Sequence, residues 1–257
     1  MLLAVDVGNT QTHLGLIDHG EVLADWRIAT VRHRTCDEIA GLLQGLLALR
    51  GEDLTDGVDD VAIASVVPRL TEQWVEMCEK HLGVVAFVVG PGIRTGMRIA
   101  IKNPLEVGAD RIVNSVAAFE RYGGPCIVAD YGTATTFDVV SAEGDYLGGV
   151  IAPGIEVSLD ALTARAAKLV RFELVAPPHV IGKSTTEALQ AGAVYGFAGE
   201  TDGIVRAIRA ELGTPARVVA TGGLASMIAR YAAVIDVIDS SLTLRGIDLV
   251  MRRQARS

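Results

Sequence analysis

Apolar residues are grouped along the chain in short runs separated by polar knots, and the runs come in two matched sets. LLAVDV at 2–7 is rich in strand formers; THLGLID at 12–18 follows a polar knot, and His19-Gly20 turns the chain into EVLADWRIA. This pattern predicts a three-stranded meander. It returns in the second half as CIVADY at 126–131, TTFDVVS at 135–141, the turn residues AEGD, and YLGGVIA at 146–152. The duplication therefore covers a whole unit of architecture.

Beyond each meander the period changes. Ile39, Leu42, Leu43, Leu46 and Leu47 follow helical spacing, then VDDVAIASVV at 58–67 reads as a strand, 69–82 as a helix and VVAFVVG as a strand. In the second half, helices are predicted over 156–168 and 186–212, followed by the strand ARVVAT at 216–221, a helix after Gly223, the run VIDVID, and a last helix over 244–253. Residues 107–124 form a further predicted helix that joins the halves and ends at Gly123-Gly124. The fold class is α/β, with a mixed sheet flanked by helices in each of two similar domains, 1–117 and 118–257. A site made by two copies of one unit is expected in the cleft between them.

The bend inside each meander carries the candidate chemistry. VDVGNTQTHLG at 5–15 and ADYGTATTFDV at 129–139 both place an Asp at a strand end, then a spacer, a Gly and a run of hydroxyl and amide side chains. Gly lets backbone N–H groups approach an anion, and Asn9, Thr10, Gln11, Thr12, Thr133, Thr135 and Thr136 offer hydrogen bonds. Asp6 and Asp130 have the sign of a phosphate, so beside one they serve when a cation lies between or a proton must be managed. A single copy is equally what a tight hairpin with a turn-capping Asp would show; two copies in matched meanders favour a pair of phosphate loops. ARVVATGGLAS at 216–226 adds a strand running into Thr221-Gly222-Gly223 and a helix start, a plain turn by itself and an adenosine-side wall beside two phosphate loops. Gly182-Lys183-Ser184-Thr185 is not a P-loop end, because Pro177 stands where that motif requires Gly.

Composition removes other classes. The 257 residues are half hydrophobic with 28 glycines, enough for a sizeable core. A net charge of −8 and a pI near 5.1 speak against a nucleic-acid partner, which requires a basic face. The longest wholly apolar stretches, such as 84–89, are far shorter than the ~20 residues of a spanning helix, and the N-terminus lacks a basic leader, so no membrane partner and a cytoplasmic location are expected. Cys36, Cys78 and Cys126 are scattered and read as apolar fillers.

DVGNT at 6–10, GADR at 108–111, DYGTATTFD at 130–138, IGKST at 181–185 and TGG at 221–223 together resemble the type III pantothenate kinase family, in order and across nearly the whole chain. That family belongs to the acetate kinase, sugar kinase, Hsp70 and actin superfamily, so the resemblance implies two RNase H-like domains of the actin-like ATPase fold. It also implies ATP-dependent phosphorylation of pantothenate to 4'-phosphopantothenate, the first step of coenzyme A biosynthesis, by a homodimer using Mg²⁺ and a monovalent cation, K⁺ or NH₄⁺. Carried over by position, Asp6, Val7, Gly8, Asn9, Thr10, Gln11, Thr12, His13, Thr133, Gly222 and Gly223 bind ATP. Asp110 is the proton acceptor; Gly108, Ala109, Asp110, Arg111 and Thr185 contact pantothenate; Asp130 holds the monovalent cation, and Asp6 holds Mg²⁺ through water. The chain departs from the pattern at Ile101, where many members carry an aromatic residue.

The chemistry of Asp110 also stands on general grounds. An alcohol attacking a γ-phosphoryl group must lose a proton, which a carboxylate at a helix start can accept while Arg111 offsets phosphoryl charge. An ordinary first-turn acid followed by a surface Arg would look the same in isolation. Two other readings remain open at this stage: a non-catalytic accessory or regulatory protein of the same fold, and another small-molecule kinase of the superfamily.

Overall fold

The computed structural model describes residues 1–90, 92–166 and 172–255. The first meander forms as β1 (Leu2–Val7), β2 (Gln11–Asp18) and β3 (Glu21–Ala29). Helices α1 (Cys36–Ala48) and α2 (Leu54–Gly57), strand β4 (Asp60–Ser65), helix α3 (Pro68–Met77) and strand β5 (Phe87–Val89) follow, then helix α4 (Ala109–Tyr122). The second meander is β6 (Cys126–Tyr131), β7 (Ala134–Val140) and β8 (Tyr146–Pro153). After it come α5 (Ile155–Arg165), α6 (Thr185–Leu212), β9 (Arg217–Gly222), α7 (Ala225–Ile228), β10 (Val237–Ile238) and α8 (Leu242–Ala255).

The two sheets have the same plan. Their orders are β3-β2-β1-β4-β5 and β10-β9-β6-β7-β8, in each case an antiparallel meander extended by parallel strands on the far side of its first member. These are two mixed sheets flanked by helices, the RNase H-like arrangement of the actin-like ATPase fold. Alternation along the strands explains why helices cover them. Leu3, Val5 and Val7 of β1 and Leu14 and Leu16 of β2 turn one face toward Ile39, Leu43 and Leu47 of α1 and Leu70, Trp74 and Met77 of α3, all buried. In the second sheet Ile127, Ala129, Tyr131 and Phe137 occupy the corresponding face against Ala198 and Val205 of α6.

Two compact units result, and α4 runs from one into the other: Met1–Ala117 with the C-terminal segment from Ser241, and Ala118–Ser240. The last helix therefore departs from the expected assignment of 118–257 to the second domain. Its packing gives the reason. Leu244 fills the space above Gly15, where a Cβ would come within 2.6 Å of Leu244 Cδ1, and Gly246 brings α8 against the backbone of Val113. Arg253 Nη1 donates to the carbonyl of Thr95 at 2.7 Å. All these partners lie in the first unit, so α8 covers the face of the first sheet opposite its main core.

Several elements are shorter than their apolar patterns. The run VIDVID yields the two-residue β10, because Asp236 Oδ2 accepts from Val218 N at 2.8 Å and Asp239 Oδ2 accepts from Tyr122 Oη at 2.9 Å. These carboxylates tether the segment by side chains. The helix expected over 69–82 is α-helical only to Met77 and ends in a π-helical turn, Cys78–Leu82, closed by Gly83 at φ +68°. The end of the helix expected over 156–168 lies outside the described residues. The three cysteines are free and buried, as apolar fillers should be.

Candidate active site

Residues 8–11 make the turn beyond the last β1–β2 pair, Val7 opposite Thr12, with Asp6 opposite His13 before it. Gly8 N donates to the Gln11 carbonyl at 3.1 Å, leaving Asn9 and Thr10 at the tip. Gly is required at 8 because a Cβ would come within 2.8 Å of the Gln11 carbonyl oxygen. Asn9, Thr10 and Gln11 are exposed and form the accessible rim of the loop, and Asp6 is half-buried at its base. Val7 is fully buried, with its carbonyl accepting from Val66 N at 3.1 Å, so it ends the strand and presents no side chain to a ligand.

Two expected ligand contacts have side-chain partners within the fold. His13 is only 3% exposed and its Nε2 lies 2.8 Å from Asp25 Oδ2. Burial lowers its pKa, Arg27 adds to the effect and Asp25 opposes it. Thr12 is 1% exposed, with its hydroxyl 2.9 Å from that of Thr30.

The second loop is one residue shorter. Tyr131 pairs with Thr135 and Asp130 with Thr136, so only residues 132–134 make the turn, closed by Gly132 N donating to the Ala134 carbonyl at 3.1 Å. The two motifs, which line up position by position through the glycine, fall out of step after it. Structurally, Thr135 rather than Thr136 matches Thr12. Gly132 and Thr133 are exposed, Asp130 is half-buried, and Gly154 packs directly on the loop, where a Cβ would lie 2.7 Å from the Gly132 carbonyl oxygen. Behind the loop, Asp138 is fully buried and accepts from Tyr146 Oη at 2.7 Å and Thr136 Oγ1 at 3.2 Å.

Gly222 ends β9 beside Tyr131, and its φ of +91° belongs to the left-handed region. A Cβ there would come within 2.5 Å of Asp130 Oδ1, so the first TGG glycine is built against the carboxylate of the second loop. Gly223 is exposed, with open space around its Cα. The three elements Asp130, Thr133 and Gly222-Gly223 are thus brought together within the second unit by the pairing of β6 with β7 and β9.

Asp110 occupies the first turn of α4, and its Oδ1 accepts from Arg111 N at 2.8 Å. The carboxylate folds back over Gly108, leaving no room for a Cβ at that position. Gly108, Ala109, Asp110 and Arg111 are all half-buried. Burial raises the Asp110 pKa above the ordinary value of 3.8, with the Arg111 N–H and guanidinium pulling the other way. A carboxylate with a raised pKa is a better proton acceptor than an ordinary Asp. Thr185 is exposed at the first position of α6, whose N-cap is Ser184, with its hydroxyl accepting from Glu187 N at 3.2 Å. Sequence reasoning missed Thr30, Asp25, Asp138 and Gly154. Asp138 lies inside the quoted motif and could have been noticed as a carboxylate in an apolar run, whereas the others are distant in sequence from the residues they support.

Among the described residues, no three His, Cys, Asp or Glu side chains gather to hold a metal ion. A divalent cation that travels with a nucleotide needs one or two carboxylates, its remaining ligands being phosphates and water. Asp6, near the end of β1, is a carboxylate of that kind. No described helix is long and apolar enough to cross a membrane.

Similarity to known proteins extends over nearly the whole chain. The chain is 53% identical over 253 residues to the type III pantothenate kinase of Moorella thermoacetica, covering 98% of this chain and 99% of that one. It is 54% identical over 260 residues to the Streptomyces avermitilis protein of the same name (98% of each chain), and 49% over 257 to that of Myxococcus xanthus (100% of each). Solved structures share the fold at low identity. One is the ethanolamine utilization protein EutJ from Carboxydothermus hydrogenoformans (TM-score 0.57, 18% identity, 96% of this chain and 89% of that one). Another is component A of the Acidaminococcus fermentans (R)-2-hydroxyglutaryl-CoA dehydratase (TM-score 0.57, 13% identity, 99% and 97%). The sequence profile of type III pantothenate kinases matches residues 2–207, most of the chain, and with the full-length relatives it places this protein in the type III pantothenate kinase family.

Proposed function

We propose that Asp110 is the proton acceptor in the reaction this kinase carries out, the ATP-dependent phosphorylation of pantothenate to 4'-phosphopantothenate that opens coenzyme A biosynthesis. The observation that carries the assignment is the half-buried carboxylate at the start of α4, its pKa raised by burial and its orientation held by Arg111 N. A carboxylate made more basic in this way can take the proton of a primary hydroxyl as that oxygen attacks the γ-phosphorus. Arg111, adjacent in the same turn, is placed to offset charge on the phosphoryl oxygens, and Gly108, Ala109 and Thr185 complete the substrate contacts.

In this reading the phosphate loops hold ATP, with the backbone N–H groups of residues 9–11 and of Thr133 offered to the phosphates and Gly222-Gly223 bordering the adenosine. Asp6, through water, would hold Mg²⁺, which would supply positive charge to offset that of the phosphates. Asp130 would hold a monovalent cation, K⁺ or NH₄⁺. Without one, the carboxylate would repel the nucleotide beside it. The working form in this reading is a cytoplasmic homodimer.

A coupled ATP-consumption assay with and without pantothenate tests the reading. Turnover should depend on pantothenate. ATP hydrolysis that ignored pantothenate would overturn the substrate assignment.

A further inference from the structure

The residue following the edge strand of each meander closes on the phosphate loop of its own unit, but by different means. In the second unit that residue is Gly154, after the pair Pro153–Ala134, and its backbone lies directly on the loop carbonyls. In the first it is Thr30, after the pair Ala29–Gln11. Thr30 touches the loop twice: its Oγ1 donates to the Gly8 carbonyl at 2.8 Å, and its N–H donates to the Thr10 carbonyl at 2.9 Å.

Each of these bonds fixes a peptide plane. Because a trans peptide holds C=O and N–H on opposite sides, fastening the Gly8 carbonyl to Thr30 turns the Asn9 N–H away from Thr30. Fastening the Thr10 carbonyl does the same for the Gln11 N–H.

The hydroxyl protons can be assigned by elimination. A carbonyl can only accept, so the one proton of Thr30 is committed to Gly8. In the 2.9 Å contact between Thr12 and Thr30, Thr12 must therefore donate. The Thr12 hydroxyl has no proton left for a phosphate oxygen, which leaves anion recognition in this loop to the backbone N–H groups that Thr30 orients and to the exposed side chains of Asn9, Thr10 and Gln11. The second unit supplies the control within the same molecule: Thr135, the match of Thr12, has a buried Oγ1 with no hydrogen-bond partner, because Gly154 has no side chain to receive it.

We propose that Thr30 is a positioning residue for ATP, a hydroxyl latch that aims the first phosphate loop without touching the nucleotide. The inference rests on the reading of that loop as an ATP site. Thr30→Val keeps the shape and removes the latch; Thr30→Ser restores the hydroxyl. ATP affinity by calorimetry should fall about tenfold in Thr30→Val, the scale of one or two lost hydrogen bonds, and return to within about twofold of the parent in Thr30→Ser. The loss should appear in KM for ATP more than in kcat, with KM for pantothenate little changed, and hydrogen exchange at 8–11 should accelerate. A Thr30→Val protein with unchanged ATP affinity, or a Ser variant that fails to recover it, would overturn the proposal. Gly8→Ala separates the two levels. If it weakens ATP binding while Thr30→Val does not, the latch alone is wrong. If neither weakens binding, the ATP-loop reading falls with it.

Discussion

Gly222 stands against Asp130 so closely that a Cβ at 222 would come within 2.5 Å of the carboxylate Oδ1. A glycine from β9 therefore sets where the β6 carboxylate can be. Gly222→Ala should push the carboxylate aside and strain a backbone at φ +91°. We expect activity to fall at least about tenfold and stimulation by K⁺ to weaken, with Asp130→Ala abolishing that stimulation altogether. Initial rates across a K⁺ series, against a bulky organic cation as reference, check this. Equal rates in the two salts for the parent would remove the cation role.

Asp110→Asn keeps shape and removes the proton acceptor, so kcat should drop by ~10²–10⁴-fold. Stability should move the other way. Burial raises the folded-state pKa above 3.8, so the native protein binds the proton more tightly than the unfolded chain, and stability declines as pH rises between the unfolded and folded pKa values. Above that window the ionised carboxylate carries its full desolvation cost, which Asn avoids. Thermal melts should show the variant at least as stable as the parent at pH 7, with the difference shrinking toward pH 3. A variant clearly less stable at neutral pH would contradict the burial argument.

The two loop glycines should respond differently to the same substitution. Gly8→Ala forces a Cβ to within 2.8 Å of the Gln11 carbonyl and must distort the turn, whereas at Gly132 the nearest atom to a Cβ, the Ala134 carbonyl oxygen, is 3.7 Å away, an ordinary contact. ATP affinity should fall by an order of magnitude or more in Gly8→Ala, and any loss in Gly132→Ala should come from contact with the nucleotide itself. Circular dichroism without ligand and calorimetry with ATP distinguish these origins.

Thr135→Val should be neutral or stabilising by about 1 kcal/mol, because its hydroxyl is buried without a partner. Thr12→Val should be destabilising by a similar amount, since Thr12 donates to Thr30. Urea unfolding of the pair measures both. Equal losses would show that the second loop is latched like the first.

The sequence by itself determined the doubled meander, the alternation of strand and helix that follows it, and the positions of Asp6, Asp110 and Asp130 at strand ends and a helix start. These are local properties: period-two and helical spacing, turn residues and glycines act within a few positions of one another. The motifs also sufficed to identify the family. Tertiary structure decided what depends on neighbours far apart in the chain. The last helix joined the first unit because Gly15 leaves room for its Leu244 and its own Gly246 lets it close on Val113, a fit that no pattern within 244–253 encodes. The one-residue difference between the loops came from strand register, which is set by the pairing of whole strands; position-by-position matching of the motifs could not register it. His13 and Thr12 face Asp25 and Thr30 because β3 folds back beside β2, partners that no spacing within 5–15 indicates.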